Sequence, residues 1–202
     1  MIKNVLFDFS NVISVFAWDK YAVKVTGDRK KADYLLDMTL FNQDVWPDYD
    51  AGYINEDEAL ERFKAQTAPE WHGYIDKFIR GLDCCFYPLD GMYEVVEELK
   101  ANGIKCYVIS NFPKDPFERV SRDFPTLKLM DGILVSYVDH LMKPEAPIFN
   151  EACRRWGLKP EECVFTDDMD YNVAGAEAVG MHGHVFKGAD YLRRYLRSLG
   201  AL

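Results

Sequence analysis

The chain has 202 residues, of which 49% are hydrophobic, 14% aromatic and 28% charged. This composition is typical of a globular protein with its own core, and it excludes a disordered or fibrous chain. The 33 acidic residues outnumber the 24 basic ones, and the net charge of -9 disfavours general binding to nucleic acid or to anionic lipid.

Five short apolar segments have the β-branched and aromatic content of strands, at residues 3–9, 105–110, 132–137, 163–167 and 182–186. Helical patterns lie between the later strands, at residues 89–102 and 145–156, and a glycine follows each of these two patterns. Strands that alternate with helices predict a parallel sheet between helical layers. We therefore expect an α/β fold with a three-layer, Rossmann-like core.

Residues 14–85 have a different pattern, because helix signals follow one another there without a convincing strand. Asn55 and Glu58 are spaced as a capping box at the start of one such helix. The segment 46–53 is rich in aromatic and turn-forming residues, and we expect a loop there. The sequence predicts a helical cap, formed by residues 14–85, inserted into a core formed by residues 1–13 and 86–202.

Two features of the sequence concern the location of the protein. The longest uncharged stretch, residues 9–18, has about half of the roughly 20 apolar residues that a membrane-spanning helix requires. The first residues lead directly into the first predicted strand, without the pattern of a signal peptide. The five cysteines include no C-x-x-C pair. We expect a cytoplasmic protein that has neither a membrane nor a nucleic acid as partner.

Polar side chains follow the predicted strands at four places. These are residues 8–12, the Ser110-Asn111 pair, the Lys143-Pro144 pair and residues 167–172. Each group taken alone is more often a helix or turn cap. The carboxyl ends of parallel strands border the ligand crevice in open sheets, so the four groups are expected to meet. Together they offer a nucleophile, a site for a hard cation and hydrogen-bond donors for an anionic group.

These groups resemble the four motifs of the haloacid dehalogenase superfamily, in the branch with a helical cap after the first motif. Residues 5–13 are similar to the first motif and residues 108–111 to the second. The pair Lys143-Pro144 is similar to the third motif, and residues 164–168 followed by Asn172 to the fourth. With the segment 50–54, the chain also resembles the bacterial sugar-phosphate phosphatases, especially the α-glucose-1-phosphate phosphatase group.

The resemblance implies that the carboxylate of Asp8 attacks phosphorus and forms an aspartyl-phosphate. It also implies Mg²⁺ as cofactor, and the residues implied for its site are Asp8, Asp168, Ser10 through its backbone carbonyl, and Asp167 and Asn172 around the water shell. Lys143 and Ser110 would act on the transferring group in catalysis. The implied phosphate-binding residues are Ser10, Asn11, Ser110, Asn111 and Lys143.

One position departs from the family pattern. Two residues after the nucleophile, phosphatases of this family usually carry a second aspartate, which protonates the leaving group and then activates water. This chain has Ser10 there. Such a group contributes about 10²- to 10⁴-fold to the rate. Either another group or water transfers the proton, or the substrate has an easy leaving group, as a sugar 1-phosphate does, or the protein no longer turns over.

Three residues of the predicted cap are candidates for substrate contact: Trp46, Asp48 and Tyr53. Aromatic and acidic groups side by side suit a sugar, although aromatic residues in helical caps more often pack at the hinge. The leading hypothesis is a Mg²⁺-dependent phosphatase of a small phosphate ester, with a sugar phosphate as substrate. The alternatives are a regulatory protein that binds a phosphate ligand without turnover, and a 2-haloacid dehalogenase. The expected oligomeric state is a monomer or a homodimer.

Overall fold

The computed structural model describes residues 1–202 and contains seven strands. They are β1 (Asn4–Phe7), β2 (Ser14–Phe16), β3 (Phe86–Pro88), β4 (Lys105–Ser110), β5 (Gly132–Val135), β6 (Cys163–Asp167) and β7 (His182–Val185). Five of them form one parallel sheet in the order β5-β4-β1-β6-β7, with β1 at its centre. The predicted α/β fold with a Rossmann-like sheet is confirmed.

Eleven α-helices accompany the strands. They are α1 (Trp18–Thr26), α2 (Arg29–Met38), α3 (Trp46–Asp50), α4 (Glu56–Ala65), α5 (His72–Arg80), α6 (Met92–Ala101), α7 (Lys114–Ser121), α8 (Ser136–Asp139), α9 (Ala146–Trp156), α10 (Asp170–Ala178) and α11 (Ala189–Ser198). No helix of the chain has both the length and the hydrophobicity needed to cross a bilayer.

The alternation of side chains along β1 explains the layers on the two faces of the sheet. Val5 and Phe7 point to one face, where they join a cluster with apolar residues of α6 and α11. Leu6 points to the other face and joins a cluster with apolar residues of α9 and α10. All four residues of β1 are buried, as expected for a central parallel strand covered by helices on both faces.

Residues 14–85 contain α1 to α5, whose buried side chains pack into a separate cluster that includes Leu35, Tyr49, Phe63 and Phe78. The predicted capping box is confirmed. The Asn55 side chain accepts a hydrogen bond from the Glu58 amide at 3.0 Å, and the Glu58 side chain accepts one from the Asn55 amide at 2.9 Å. The division of the chain into a core and a cap stays a prediction.

Two expectations for this block are wrong. Residues 14–85 do contain a strand, because β2 pairs antiparallel with β3 in a two-stranded ribbon with Val15 opposite Tyr87. Each strand has only three residues, too few for an alternation pattern to be visible in the sequence. The expected loop at residues 46–53 is in part a helix, α3. Pro47 lies in its first turn, where a missing amide hydrogen has no intrahelical partner to lose.

Candidate active site

The register of the central strands brings the polar groups of the sequence to one edge of the sheet. Phe7 is paired with Val108 on one side and with Thr166 on the other, so the residues that follow these positions lie side by side. Asp8, Ser110 and Asp167 therefore meet at the carboxyl ends of β1, β4 and β6. In open α/β sheets, ligands bind at this edge.

Lys143 enters this edge from the segment between α8 and α9. Its ammonium nitrogen lies 2.7 Å from Oδ1 of Asp8 and 2.7 Å from Oδ2 of Asp167. The side chains of Lys143 and Asp167 are 2% and 0% exposed, and that of Asp8 is 9% exposed. Asp8, the nucleophile that the family resemblance implies, is therefore in direct contact with the fixed positive charge of Lys143.

The ionisation of this pair is set by burial and by the neighbouring charges. Burial raises the pKa of Asp8 to about 7, and Asp167 adds to the rise, while Lys143 acts in the opposite direction. Burial alone would lower the pKa of Lys143, but the two carboxylates outweigh that effect and raise it. Lys143 is therefore charged throughout the physiological range. A cation bound at the carboxylates would favour the ionised, nucleophilic form of Asp8.

Asp167 is the most completely bonded acid of the site. Its carboxylate accepts hydrogen bonds from the backbone amide of Met169 at 2.9 Å and from Nδ2 of Asn172 at 3.0 and 3.1 Å. The bond to Lys143 completes the set. These partners fix the orientation of Asp167 and of the start of α10 around it.

Asp168 is held by Asn11. Nδ2 of Asn11 donates to Asp168 at 3.2 Å, and Oδ1 of Asn11 accepts from the backbone amide of Phe16 at 3.1 Å. Asn11 adopts the left-handed conformation with φ 57°, which asparagine tolerates better than most residues. Burial raises the pKa of Asp168, the bond from Asn11 opposes that rise, and Asp167 adds to it.

The residues at this edge fit a hard divalent cation. Carboxylate oxygens of Asp8, Asp167 and Asp168 all lie within 4.8 Å of one another. Oδ1 of Asn172 is buried beside them and has no hydrogen-bond partner within the protein. A site made only of oxygen donors with excess negative charge suits Mg²⁺ and does not suit soft or redox metals.

The two polar residues of the second motif, Ser110 and Asn111, have different roles. The Ser110 hydroxyl is buried and has no hydrogen-bond partner within the protein, so it can donate to an anionic group. The Asn111 side chain instead bonds the backbone of Lys143, donating to its carbonyl at 3.0 Å and accepting from its amide at 2.9 Å. The Asn111 side chain therefore positions Lys143.

A cavity of about 70 Å³ lies beside this cluster, between the edge of the sheet and the helical block formed by residues 14–85. Its polar lining comes from Ser10, Trp46, Asp50 and Asn111, and the rest of its wall is formed by apolar side chains of both parts of the chain: Phe16, Leu40, Leu82, Phe86, Phe112, Pro113 and Pro116. Sites for whole small molecules have roughly 300–1,000 Å³. The cavity in this conformation therefore has room for only part of a metabolite.

Comparison with known proteins agrees with this arrangement. The profile of a family described as haloacid dehalogenase-like hydrolases matches residues 2–180. The chain belongs to this family. Among solved structures, a HAD family enzyme from Bacteroides thetaiotaomicron in a magnesium complex superposes with a TM-score of 0.77, covering 97% of this chain and 98% of the other at 19% identity. At that identity the similarity establishes the fold.

Two proteins that are similar to this hydrolase in sequence have names that refer to phosphate release or hydrolysis. The sesquiterpene phosphatase astK of Aspergillus oryzae is 27% identical over 145 residues, which is 72% of this chain and 74% of that protein. Flavin mononucleotide hydrolase 1 of Arabidopsis thaliana is 29% identical over 163 residues, which is 77% of this chain and 62% of that protein. The chain thus spans less than two thirds of the second relative.

The structure brings one of the three candidate cap residues of this HAD-like hydrolase to the cavity. Trp46 lines it, as described above. Asp48 instead forms an ion pair with Arg62 at 2.8 Å on the outer side of α3. Tyr53 is 63% exposed and stacks on His140 with ring centroids 5.0 Å apart. Neither of these two side chains lines the cavity.

Asp50 is the acidic lining residue that the sequence analysis does not name as a site residue. It lies one helical turn after Trp46 in α3, so both side chains share one face of that helix. The spacing was visible in the sequence, but a loop assigned to residues 46–53 hides the shared face. Reading Pro47 as the start of a helix would have paired the two residues.

Proposed function

We propose that this HAD-like hydrolase is a Mg²⁺-dependent phosphomonoesterase that forms an aspartyl-phosphate on Asp8. The observation that carries this proposal is the contact of Asp8 with Lys143 inside a group of three carboxylates. A nucleophile, a fixed positive charge and a hard-cation site within one buried cluster are the requirements of phosphoryl transfer. The names of the two relatives support the same chemistry.

The residues at the edge of the sheet divide the work between two tasks. Asp8, Asp168 and the backbone carbonyl of Ser10 would hold the cation. Asp167 and Asn172 would hold the water molecules around it. When bound, Mg²⁺ supplies the charge that lets two anions approach each other.

The second task is to hold the phosphoryl group while Asp8 attacks it. The ammonium group of Lys143 faces the developing negative charge, and the Ser110 hydroxyl donates a hydrogen bond to a phosphoryl oxygen. Asn11, a residue of the first motif, orders that side of the site through its bond to Asp168. Asn111 contributes by holding the backbone of Lys143.

The helical block at residues 14–85 acts in this proposal as a cap that opens to admit the substrate. A cavity of about 70 Å³ is too small for a whole phosphate ester, and its wall combines side chains of the block with side chains of the core. Closure around the bound ester excludes water from the reacting phosphorus.

Two substrate classes follow from different observations. The sequence motifs favour a sugar phosphate. The cavity wall favours an ester of an apolar alcohol, because Phe16 and Phe86 stack there with ring centroids 4.3 Å apart and other apolar side chains surround them. The relative named as a sesquiterpene phosphatase points in the same direction. Comparing kcat/KM for a sugar 1-phosphate and a prenyl monophosphate separates the two classes.

The test of the proposed function is a panel of phosphate esters assayed with and without Mg²⁺. Phosphate release that requires Mg²⁺ and is lost in Asp8→Asn supports the phosphatase. Thermal stabilisation by an ester without phosphate release would instead support a regulatory binding protein. Halide release from a 2-haloacid without added metal would support the dehalogenase.

A further inference from the structure

We infer that Asp50 is the general acid and base of this hydrolase and performs the proton transfers that Ser10 cannot perform. This inference rests on the proposed phosphatase function. Its first support is the cavity, which both residues line, Ser10 shortly after β1 and Asp50 at the end of α3. Asp50 is the one acidic side chain of that lining. An acidic residue thus lines the same space as the residue two positions after the nucleophile, and its carboxyl is close enough to Lys143 and Asp8 to interact with their charges.

The second support is the way in which Asp50 is anchored to the core. Its backbone carbonyl accepts a hydrogen bond from the Ser136 hydroxyl, and the next carbonyl, of Ala51, lies 2.8 Å from Nδ1 of His140. Gly52 has φ 74° and packs so closely on Tyr137 that a Cβ atom would lie 2.8 Å from its backbone. Three consecutive residues therefore fasten the end of α3 to α8, which directly follows β5 at the reactive edge of the sheet.

The environment of Asp50 suits a group that must both give and take a proton near neutral pH. Burial raises its pKa to about 7. The Trp46 indole, as a hydrogen-bond donor, and the charge of Lys143 oppose the rise, while the charge of Asp8 adds to it. Trp46 acts on Asp50 from its own helix, and Lys143 and Asp8 act on it from the edge of the sheet, where the uncharged Ser10 and Asn111 also line the cavity. A general acid works best when its pKa lies near the working pH.

The proton balance of the reaction is complete with this residue. In the first step, a carboxylate oxygen of Asp8 forms a bond to phosphorus, the bond from phosphorus to the ester oxygen breaks, and that oxygen takes the proton of Asp50. In the second step, the Asp50 carboxylate takes a proton from water, whose oxygen attacks phosphorus while the bond to Asp8 breaks. Inorganic phosphate leaves, and Asp8 and Asp50 return to their starting states.

Leaving-group dependence tests the role of Asp50. In Asp50→Asn, we expect kcat/KM for an alkyl phosphate to fall about 10²- to 10⁴-fold. The value for an aryl phosphate should fall less than about tenfold, because its acidic leaving group needs little protonation. Asp37→Asn, which removes an exposed acid from α2 in the same block, is the matched control and should leave kcat/KM for both esters unchanged. Equal losses on both esters, or no loss on the alkyl ester, would overturn the inference.

A second variant keeps the inference testable even where Asp50→Asn does not fold. If Asp50 already transfers the proton, Ser10→Asp in the otherwise natural chain should leave the ratio of alkyl to aryl rates unchanged. A selective gain on the alkyl ester would show that the acid was missing, and it would overturn the inference. Failure of the proposed function is a different result, namely no phosphate release from any ester by the unaltered chain with Mg²⁺.

Discussion

The ammonium nitrogen of Lys143 lies 2.7 Å from the Asp8 carboxylate, and both side chains are buried. Lys143 makes an equal contact with Asp167, so a single positive charge serves two carboxylates. Asp168 adds a third acid to the cluster. The cluster thus retains an excess of negative charge when its acids are ionised, which a divalent cation would neutralise.

Replacing Lys143 by methionine should reduce both activity and stability. Methionine keeps much of the volume but removes the charge, so kcat/KM should fall about 10²- to 10³-fold on alkyl and aryl phosphates alike. Breaking a buried ion pair should also lower the free energy of unfolding by about 3–5 kcal/mol without Mg²⁺. Steady-state kinetics and urea unfolding measure the two effects, with the exposed Lys128→Met as control. Activity within about tenfold of the unaltered chain would contradict the role given to Lys143.

Two substitutions at Asn11 should separate its backbone conformation from its hydrogen bonds. Asn11→Gly removes the bonds to Asp168 and Phe16, at about 0.5–1.5 kcal/mol each. Asn11→Ala removes the same bonds and also places a Cβ-bearing residue without a local hydrogen bond at φ 57°, which costs about 1–2 kcal/mol more. Chemical unfolding should therefore find the Asn11→Ala variant less stable than the Asn11→Gly variant. Both variants should bind Mg²⁺ more weakly than the unaltered chain does. The reverse order of stability would show that the positive φ carries no strain.

The pH dependence of stability should report the half-buried carboxyl of Asp50. Its pKa is raised from 3.8 to about 7 in the folded state, so its contribution to stability is complete below pH 4 and is lost as the pH rises through 7. The amide that replaces this carboxyl in Asp50→Asn does not titrate. The variant should therefore gain roughly 1–3 kcal/mol relative to the unaltered chain between pH 4 and pH 8, a range reduced for the partial exposure of Asp50.

Denaturant unfolding at a series of pH values, without divalent cations, measures this difference. The exposed Asp37→Asn variant shows what the loss of a surface charge alone does. Parallel profiles of Asp50→Asn and the unaltered chain would mean that the folded state does not perturb Asp50.

The sequence predicts the core of the fold well and the helical block less well, for physical reasons. The bounds of β4 and β6 agree with the predicted strands because their buried residues form continuous apolar runs that end at polar site residues. The capping box at Asn55 is equally local, since its donors and acceptors lie within four residues. Such features depend on neighbours in the chain and are readable from it.

The features that the sequence did not predict depend on tertiary packing. The three-residue strands β2 and β3 are stable only because they pair with each other across some 70 residues of chain, as Val15 does with Tyr87. Asp50 becomes a site residue only because Ser136 and His140 anchor the end of α3 to the core. Substrate contact by Tyr53 stays a prediction, and the stacking of its ring on His140 is a tertiary contact that the sequence does not show.

The most direct test of the central claim follows a phosphoryl group from the ester to Asp8. The chain is mixed with a ³²P-labelled phosphate ester and Mg²⁺, quenched in acid within one turnover, and analysed for label on the protein. We expect label that hydroxylamine releases, as an acyl phosphate requires, and neither label nor phosphate release in Asp8→Asn. Phosphate release that persists in Asp8→Asn, or label that survives that substitution, would contradict the claim.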